Sequence, residues 1–310
     1  MTLRELIEQY ITFRKSLGEL QGSNAKTLRA FGRAVGNDAG AADVRAEQVE
    51  AFLNGTGPVT LTWHIKLGVL RPFYRYAVSR GHAATAPLPT VIPKRPPAFV
   101  PYIFSHDDLS RLLRAVDTDP RQTCLAPLTL RTILLLLYGA GLRIREAVDL
   151  DRRDVALGES LLTVRQSKFG KTRLVPVGPD VRGVLTRYAE RQPAAGPDTP
   201  FFVTRTGDRV KADTLQHHYR LLCGRAGVRR TDGARYQPRI HDLRHTFAVR
   251  RLTSWYRQGA DVQTLLPHLS VYLGHVHLRA TQVYLTMTPE LLGEAGRRFE
   301  RYAATEVPRV

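Results

Sequence analysis

Residues 87–101 hold six prolines in fifteen positions, and this run constrains the fold more than any other feature of the chain. Proline lacks a backbone N–H and fixes φ, so such a run suits neither a helix nor a central strand. It reads as an extended linker over residues 87–104, separating an N-terminal part, residues 1–86, from a larger part, residues 105–310. A chain of 310 residues is long enough for both parts to bury a core.

In the first part apolar residues recur at helical spacing. One stripe runs Leu3, Leu6, Ile7, Tyr10, Ile11, and others centre on Leu28 and Phe31, on Val49, Phe52 and Leu53, and on Leu67, Leu70, Phe73, Tyr74 and Ala77. The spacing predicts a small helical domain. In the second part Ser105 can cap a helix whose third residue is Asp108, with Leu109, Leu112 and Leu113 on its buried face. An apolar helix is expected over 128–138, ending at Gly139 and Gly141, with another opening near Ile144. The period then changes to two: Leu162 and Val164, then Leu174, Val175 and Val177, flank a polar turn at 166–171, which predicts a β-hairpin with lysine at its tip. From Asp213 onward the pattern is helical again, with breaks expected at Gly227, Gly233, Gly259 and Pro267. The fold class is therefore mainly α with a small antiparallel β-sheet. The segment 289–302, with Leu291, Leu292, Ala295 and Phe299, predicts a last helix that packs either on its own domain or on a neighbouring subunit.

Lysine and arginine number 46 against 28 aspartates and glutamates, a formal net charge of +18. Residues 1–86 carry 11 basic and 7 acidic side chains, so most of the excess lies beyond them. A field of this sign attracts a polyanion, and nucleic acid is the natural partner. Cys124 and Cys223 both stand among apolar residues and read as buried thiols of a reducing compartment rather than a disulfide. The opening Met1-Thr2-Leu3-Arg4-Glu5 has no apolar core of a signal peptide, and the apolar stretch 132–138 is too short to span a bilayer. A cytoplasmic protein is expected, with no membrane partner.

Three local features carry chemistry. Arg143 follows a glycine break in Gly141-Leu142-Arg143. His241-Asp242-Leu243-Arg244-His245 puts His241, Arg244 and His245 on one side of a helix, where three cationic or potentially cationic groups repel unless an anion sits between them. Leu273-Gly274-His275 is followed nine residues later by Tyr284.

An arginine, a hairpin lysine, H-x-x-R-H, L-G-H and a tyrosine nine residues on, in that order, resemble the tyrosine recombinases, the phage integrases and Xer-type proteins. The likeness spans nearly the whole chain, since the helical N-terminal part, the proline-rich linker and the opening Tyr102-Ile103-Phe104-Ser105 are similar too. It implies a four-helix, SAM-like core-binding domain and a C-terminal catalytic domain that together clamp double-stranded DNA, with a homo-tetramer working on paired sites. It assigns Arg143 and Arg244 to the scissile phosphate, Lys168 to the hairpin lysine, His241 and His275 to the active-site histidines and Tyr284 to the nucleophile. The chemistry agrees with each role. Guanidinium is a planar, permanently charged fork that can hold two non-bridging oxygens, doing what a metal ion does elsewhere, so neither metal nor cofactor nor small-molecule substrate is expected. A phenol with a pKa of about 10 needs nearby positive charge or a base, a role that suits His241. A mobile ammonium at a hairpin tip suits the leaving oxygen, a contribution of roughly 10²–10⁴ in rate.

Two positions depart from the family pattern. Arg145 replaces a small polar residue, and Phe169 stands where the turn usually has glycine, so that Lys171 competes with Lys168 for the acid. His245 reads as a group that orients the site. Rival readings are a DNA-binding protein of this fold without catalysis, a type IB topoisomerase, and a zinc metallohydrolase using His241 and His245. Against the last, the intervening acid is Asp242 rather than glutamate, Arg244 would stand beside the metal, and Arg251 occupies the place where one zinc subclass has its third histidine.

Overall fold

The computed structural model describes residues 1–18, 22–96, 99–118, 123–165, 172–234, 236–286, 291–297 and 300. It divides into two compact units, Met1–Phe99 and Val100–Val310, and the division falls inside the proline-rich segment.

The first unit contains α1 (Leu3–Ser16), α2 (Gly22–Val35), α3 (Ala46–Asn54) and α4 (Leu61–Ser79). Thr2 and Glu5 form a capping box that satisfies two otherwise orphaned N–H groups at the start of α1. The four apolar stripes close on one another: Leu3, Leu28, Phe31, Val49, Leu70, Phe73, Tyr74 and Ala77 are all fully buried. Lys26 and Arg33 on α2, and Arg71 and Arg75 on α4, stay exposed.

The second unit opens with α5 (His106–Asp117), capped reciprocally by Ser105 and Asp108 as the sequence predicts. Its central element is α6 (Pro127–Ala140), which starts on a proline where no N–H partner is lost and buries Ile133, Leu134, Leu136 and Leu137. There follow α7 (Ile144–Val148), strands β1 (Val155–Ala156), β2 (Leu161–Val164) and β3 (Arg173–Pro176), then α8 (Pro179–Glu190), α9 (Ala212–Arg225), α10 (Asp242–Arg257), α11 (Val262–Leu273), α12 (Arg279–Gln282) and a 3₁₀ turn, Val283–Thr286. α6 packs against α5, α8 and α10. The strands pair antiparallel in the order β1-β2-β3, with Leu162 opposite Val175 and Val164 opposite Arg173. The fold is thus mainly helical with one small antiparallel sheet. Residues 291–297 are helical, Leu291 is buried with Phe247, Leu252 and Tyr284, and Glu294 accepts a hydrogen bond from Arg257 at 3.0 Å. No helix among the described residues is long and apolar enough to cross a membrane.

Three details differ from expectation. Pro267 lies inside α11 rather than ending it; the proline is exposed, so water can serve the carbonyl whose helical donor it removes. Leu174 is 59% exposed, because the inward positions of β3 are taken by Arg173 and Val175. Cys124 is exposed, with Sγ 3.4 Å from His218 Nε2, and only Cys223 is a buried thiol. The predicted hairpin tip, including Lys168, Phe169 and Lys171, lies outside the described residues.

Gly141 ends α6 at φ 61°, and a Cβ there would stand 2.5 Å from a ring atom of Phe247. Gly141→Ala should therefore destabilise the protein by about 1–3 kcal/mol, through left-handed strain and displacement of Phe247. A denaturation midpoint equal to wild type would contradict this.

Candidate active site

The break at Gly141 aims a carbonyl at the first turn of α10. Arg244, on that turn, is only 1% exposed. Its Nη1 donates to Gly141 O at 2.7 Å and its Nη2 to Leu273 O at 2.5 Å. Burial, with Arg143 nearby, lowers its pKa to about 10, which leaves it charged at neutral pH. Arg143 caps α7 and donates through Nη1 to Glu146 Oε1 at 2.6 Å and through Nη2 to Gly274 O at 3.0 Å.

Glu146 joins these groups. Its carboxylate accepts from the Arg143 backbone N–H at 2.9 Å and from both terminal nitrogens of Arg173 at 3.0 and 2.8 Å, and Arg244 lies 3.8 Å away. Burial pushes the Glu146 carboxyl upward, but hydrogen bonds from Arg173 and Arg143 outweigh it and hold the pKa at about 2. One carboxylate therefore faces three guanidinium groups, and the pocket keeps a positive excess.

Tyr284 sits on the 3₁₀ turn, 3% exposed, with Oη 3.2 Å from His245 Nδ1. Burial raises the phenol pKa, opposed by the charges of Arg244 and Arg143. The rings of His241 and His245 meet edge to face at 4.9 Å, and the His275 ring lies 6.1 Å from that of Tyr284, nearly parallel to it. His275 Nδ1 is 2.7 Å from the Thr281 hydroxyl, and when Thr281 donates this bond, Nε2–H is left free to donate elsewhere. All three histidine pKa values are lowered to about 4, by burial first and then mainly by neighbouring positive charge.

The structure thus brings Arg143, His241, Arg244, His275 and Tyr284 together. The phenol's histidine contact is His245, which the sequence suggests only as an orienting group, while His241 stands behind it. Three participants are not evident from the motifs: Glu146, Arg173 and Thr281. Glu146 has a sequence signal, an acid three residues after the residue that caps α7. Arg173 has a weaker one, an arginine at an inward position of an apolar strand, and Thr281 has none. Among the described residues no group of three or more His, Cys, Asp or Glu side chains is placed to hold a metal ion.

The profile of the phage integrase family matches residues 103–290. The chain belongs to this family of tyrosine recombinases. It is 39% identical to a putative integrase/recombinase, y4rE, of Sinorhizobium fredii, covering 96% of this chain and 95% of that one. It is 33% identical to the tyrosine recombinase XerC of Rhodospirillum centenum over 91% of this chain and 79% of the relative. Its fold matches that of a lambda integrase tetramer bound to a Holliday junction, with a TM-score of 0.67 at 18% identity, covering 92% of this chain and 77% of that one. Membership places the chain among proteins of site-specific DNA recombination.

Because the three histidines of this recombinase are neutral when folded, an unfolded chain with ordinary histidines, pKa about 6.5, takes up protons first as pH falls. Their contribution to stability is complete above about pH 6.5 and is lost on descent toward pH 4. The melting temperature should fall across that window, and His241→Gln should make the fall shallower; an unchanged slope in the variant would remove His241 from the linkage.

Proposed function

We propose that this recombinase cleaves and rejoins DNA through a covalent 3'-phosphotyrosyl bond to Tyr284. The observation that carries the reading is the convergence of the Tyr284 phenol with two arginines and three neutral histidines, in a pocket holding more positive than negative charge. A scissile phosphate would balance that charge.

In this scheme Tyr284 Oη attacks the phosphorus and its proton passes to the histidine pair, His245 as the hydrogen-bonded neighbour and His241 beside it. Arg143 and Arg244 hold the non-bridging oxygens as charge gathers on them, and His275 donates a further hydrogen bond. The bond from phosphorus to the 5' oxygen breaks, and that oxygen takes a proton from Lys168, with Lys171 the alternative donor. Rejoining reverses the sequence: a 5' hydroxyl of a second strand displaces Tyr284, so bond energy is kept and no ATP is needed. No cofactor takes part. The exposed Lys26, Arg33, Arg71 and Arg75 of the first unit suit the phosphate backbone of double-stranded DNA. A homo-tetramer on paired DNA sites, acting in the cytoplasm for integration, excision or transposition, follows the family pattern, as the lambda integrase tetramer on a Holliday junction illustrates.

Wild-type protein incubated with fragmented DNA of its host should yield an adduct that survives denaturation and whose DNA can be sequenced. Tyr284→Phe should yield none while binding DNA within about twofold of wild type, because the hydroxyl contributes chemistry rather than charge. Adduct remaining in the variant would move the nucleophile elsewhere, with Tyr272 the first residue to examine. Arg143→Ala should slow cleavage by roughly 10²–10³, the cost of a lost oxyanion donor; a loss below tenfold would misplace the phosphate clamp.

A further inference from the structure

At the C-terminal end of α11 three successive carbonyls each accept a hydrogen bond from a different arginine. Tyr272 O accepts from Arg173 Nε at 2.9 Å, Leu273 O from Arg244 at 2.5 Å and Gly274 O from Arg143 at 3.0 Å. A helix C-terminus presents unsatisfied carbonyls and partial negative charge, so cations are favoured there. Two of the three arginines are those assigned to the phosphate. The third, Arg173, belongs to β3 and is 10% exposed in its side chain. Its other two nitrogens grip both oxygens of Glu146, the carboxylate that also fixes Arg143.

Gly274 bears on the same arrangement. It adopts φ 66°, and a Cβ there would lie 2.8, 2.9 and 3.1 Å from three atoms of the Arg173 guanidinium. The missing side chain lets that plane lie against the turn leading directly into His275. Arg173 thus touches the carboxylate beneath Arg143, the helix end beneath Arg244 and the turn before His275, with each guanidinium nitrogen spent on a protein acceptor.

We infer that Arg173 is a positioning residue for DNA cleavage: it sets Glu146 and the 272–274 carbonyls in the register that Arg143 and Arg244 need to hold the phosphate. The inference rests on the recombinase reading above. Lysine is not equivalent, since one ammonium cannot supply a planar fork to a carboxylate together with a third, divergent donor.

The test measures single-turnover cleavage at saturating DNA on a nicked duplex of the sequence trapped by wild-type protein. Its scissile group is either the ordinary phosphodiester or a methylphosphonate, in which a methyl group replaces one charged oxygen. Arg173→Gln should slow phosphodiester cleavage roughly 10- to 100-fold, the range for residues that orient metal ligands, with DNA affinity within about threefold of wild type. It should slow methylphosphonate cleavage much less, because a neutral group depends less on aligned arginines. Arg173→Lys should show the same pattern with a smaller loss, which keeps the test open if the glutamine variant does not fold. Arg230→Gln removes another covered arginine side chain, one whose partners are Asp232 and Val100 O, and controls for general loosening. Wild-type rates in both Arg173 variants, or equal losses on the two substrates, would overturn the role of Arg173. A wild-type protein that traps no DNA would instead overturn the recombinase reading on which it rests.

Discussion

Three guanidinium groups around one buried carboxylate are the constraint from which the rest of the second unit follows. Unit charges of one sign about 4 Å apart repel by about 4 kcal/mol at an effective dielectric near 20, and Glu146 in their midst offsets that repulsion. The main chain supplies the remaining acceptors. Gly141 and residues 272–274 turn carbonyls toward the arginines, and each turn depends on a glycine in a left-handed conformation at a helix end. The long helices α6, α10 and α11 exist, in this sense, to bring two helix ends and one helix start to the same place.

Much of this was legible in the chain because periodicity reports burial. The stripes of α1 to α4, the Ser105 cap and the alternation of β2 are local patterns with local causes. Arg143, Arg244, His275 and Tyr284 were legible because their order and spacing resemble those of a family, and no single one of them would have stood out alone. Glu146 and Arg173 were missed for a physical reason: the pairing between them joins a short helix to a distant strand. A glutamate on a short helix and an arginine on a strand both read as surface residues until the fold brings them within 3 Å of each other. Leu174 lies on the outward face because Arg173 shares the inward face of this strand with Val175. His245 was undervalued because helical spacing says which face a ring occupies but not which ring on that face meets a residue some forty positions away.

The two halves of the proposed chemistry rest on unlike supports. Arg244 is carried by the sixteen-residue α10, packed against α6, while Tyr284 is carried by a four-residue 3₁₀ turn after the four-residue α12. Short helical pieces have little cooperative hydrogen bonding, so shifting the phenol costs less than shifting the guanidinium. A pocket of this kind keeps its anion-holding groups fixed and leaves the attacking atom the adjustable part, which suits a reaction whose two steps run in opposite directions.

Arg244 fastens two of its donors to main-chain oxygens at Gly141 and Leu273, not to the side chains of neighbours. No point mutation can delete a carbonyl. Apart from Gly141, Gly274, Glu146 and Arg173, which hold those turns, the surrounding residues can vary without directly removing the acceptors of this arginine. The geometry of this pocket is secured by the path of the backbone, and variation is left to the surfaces around it.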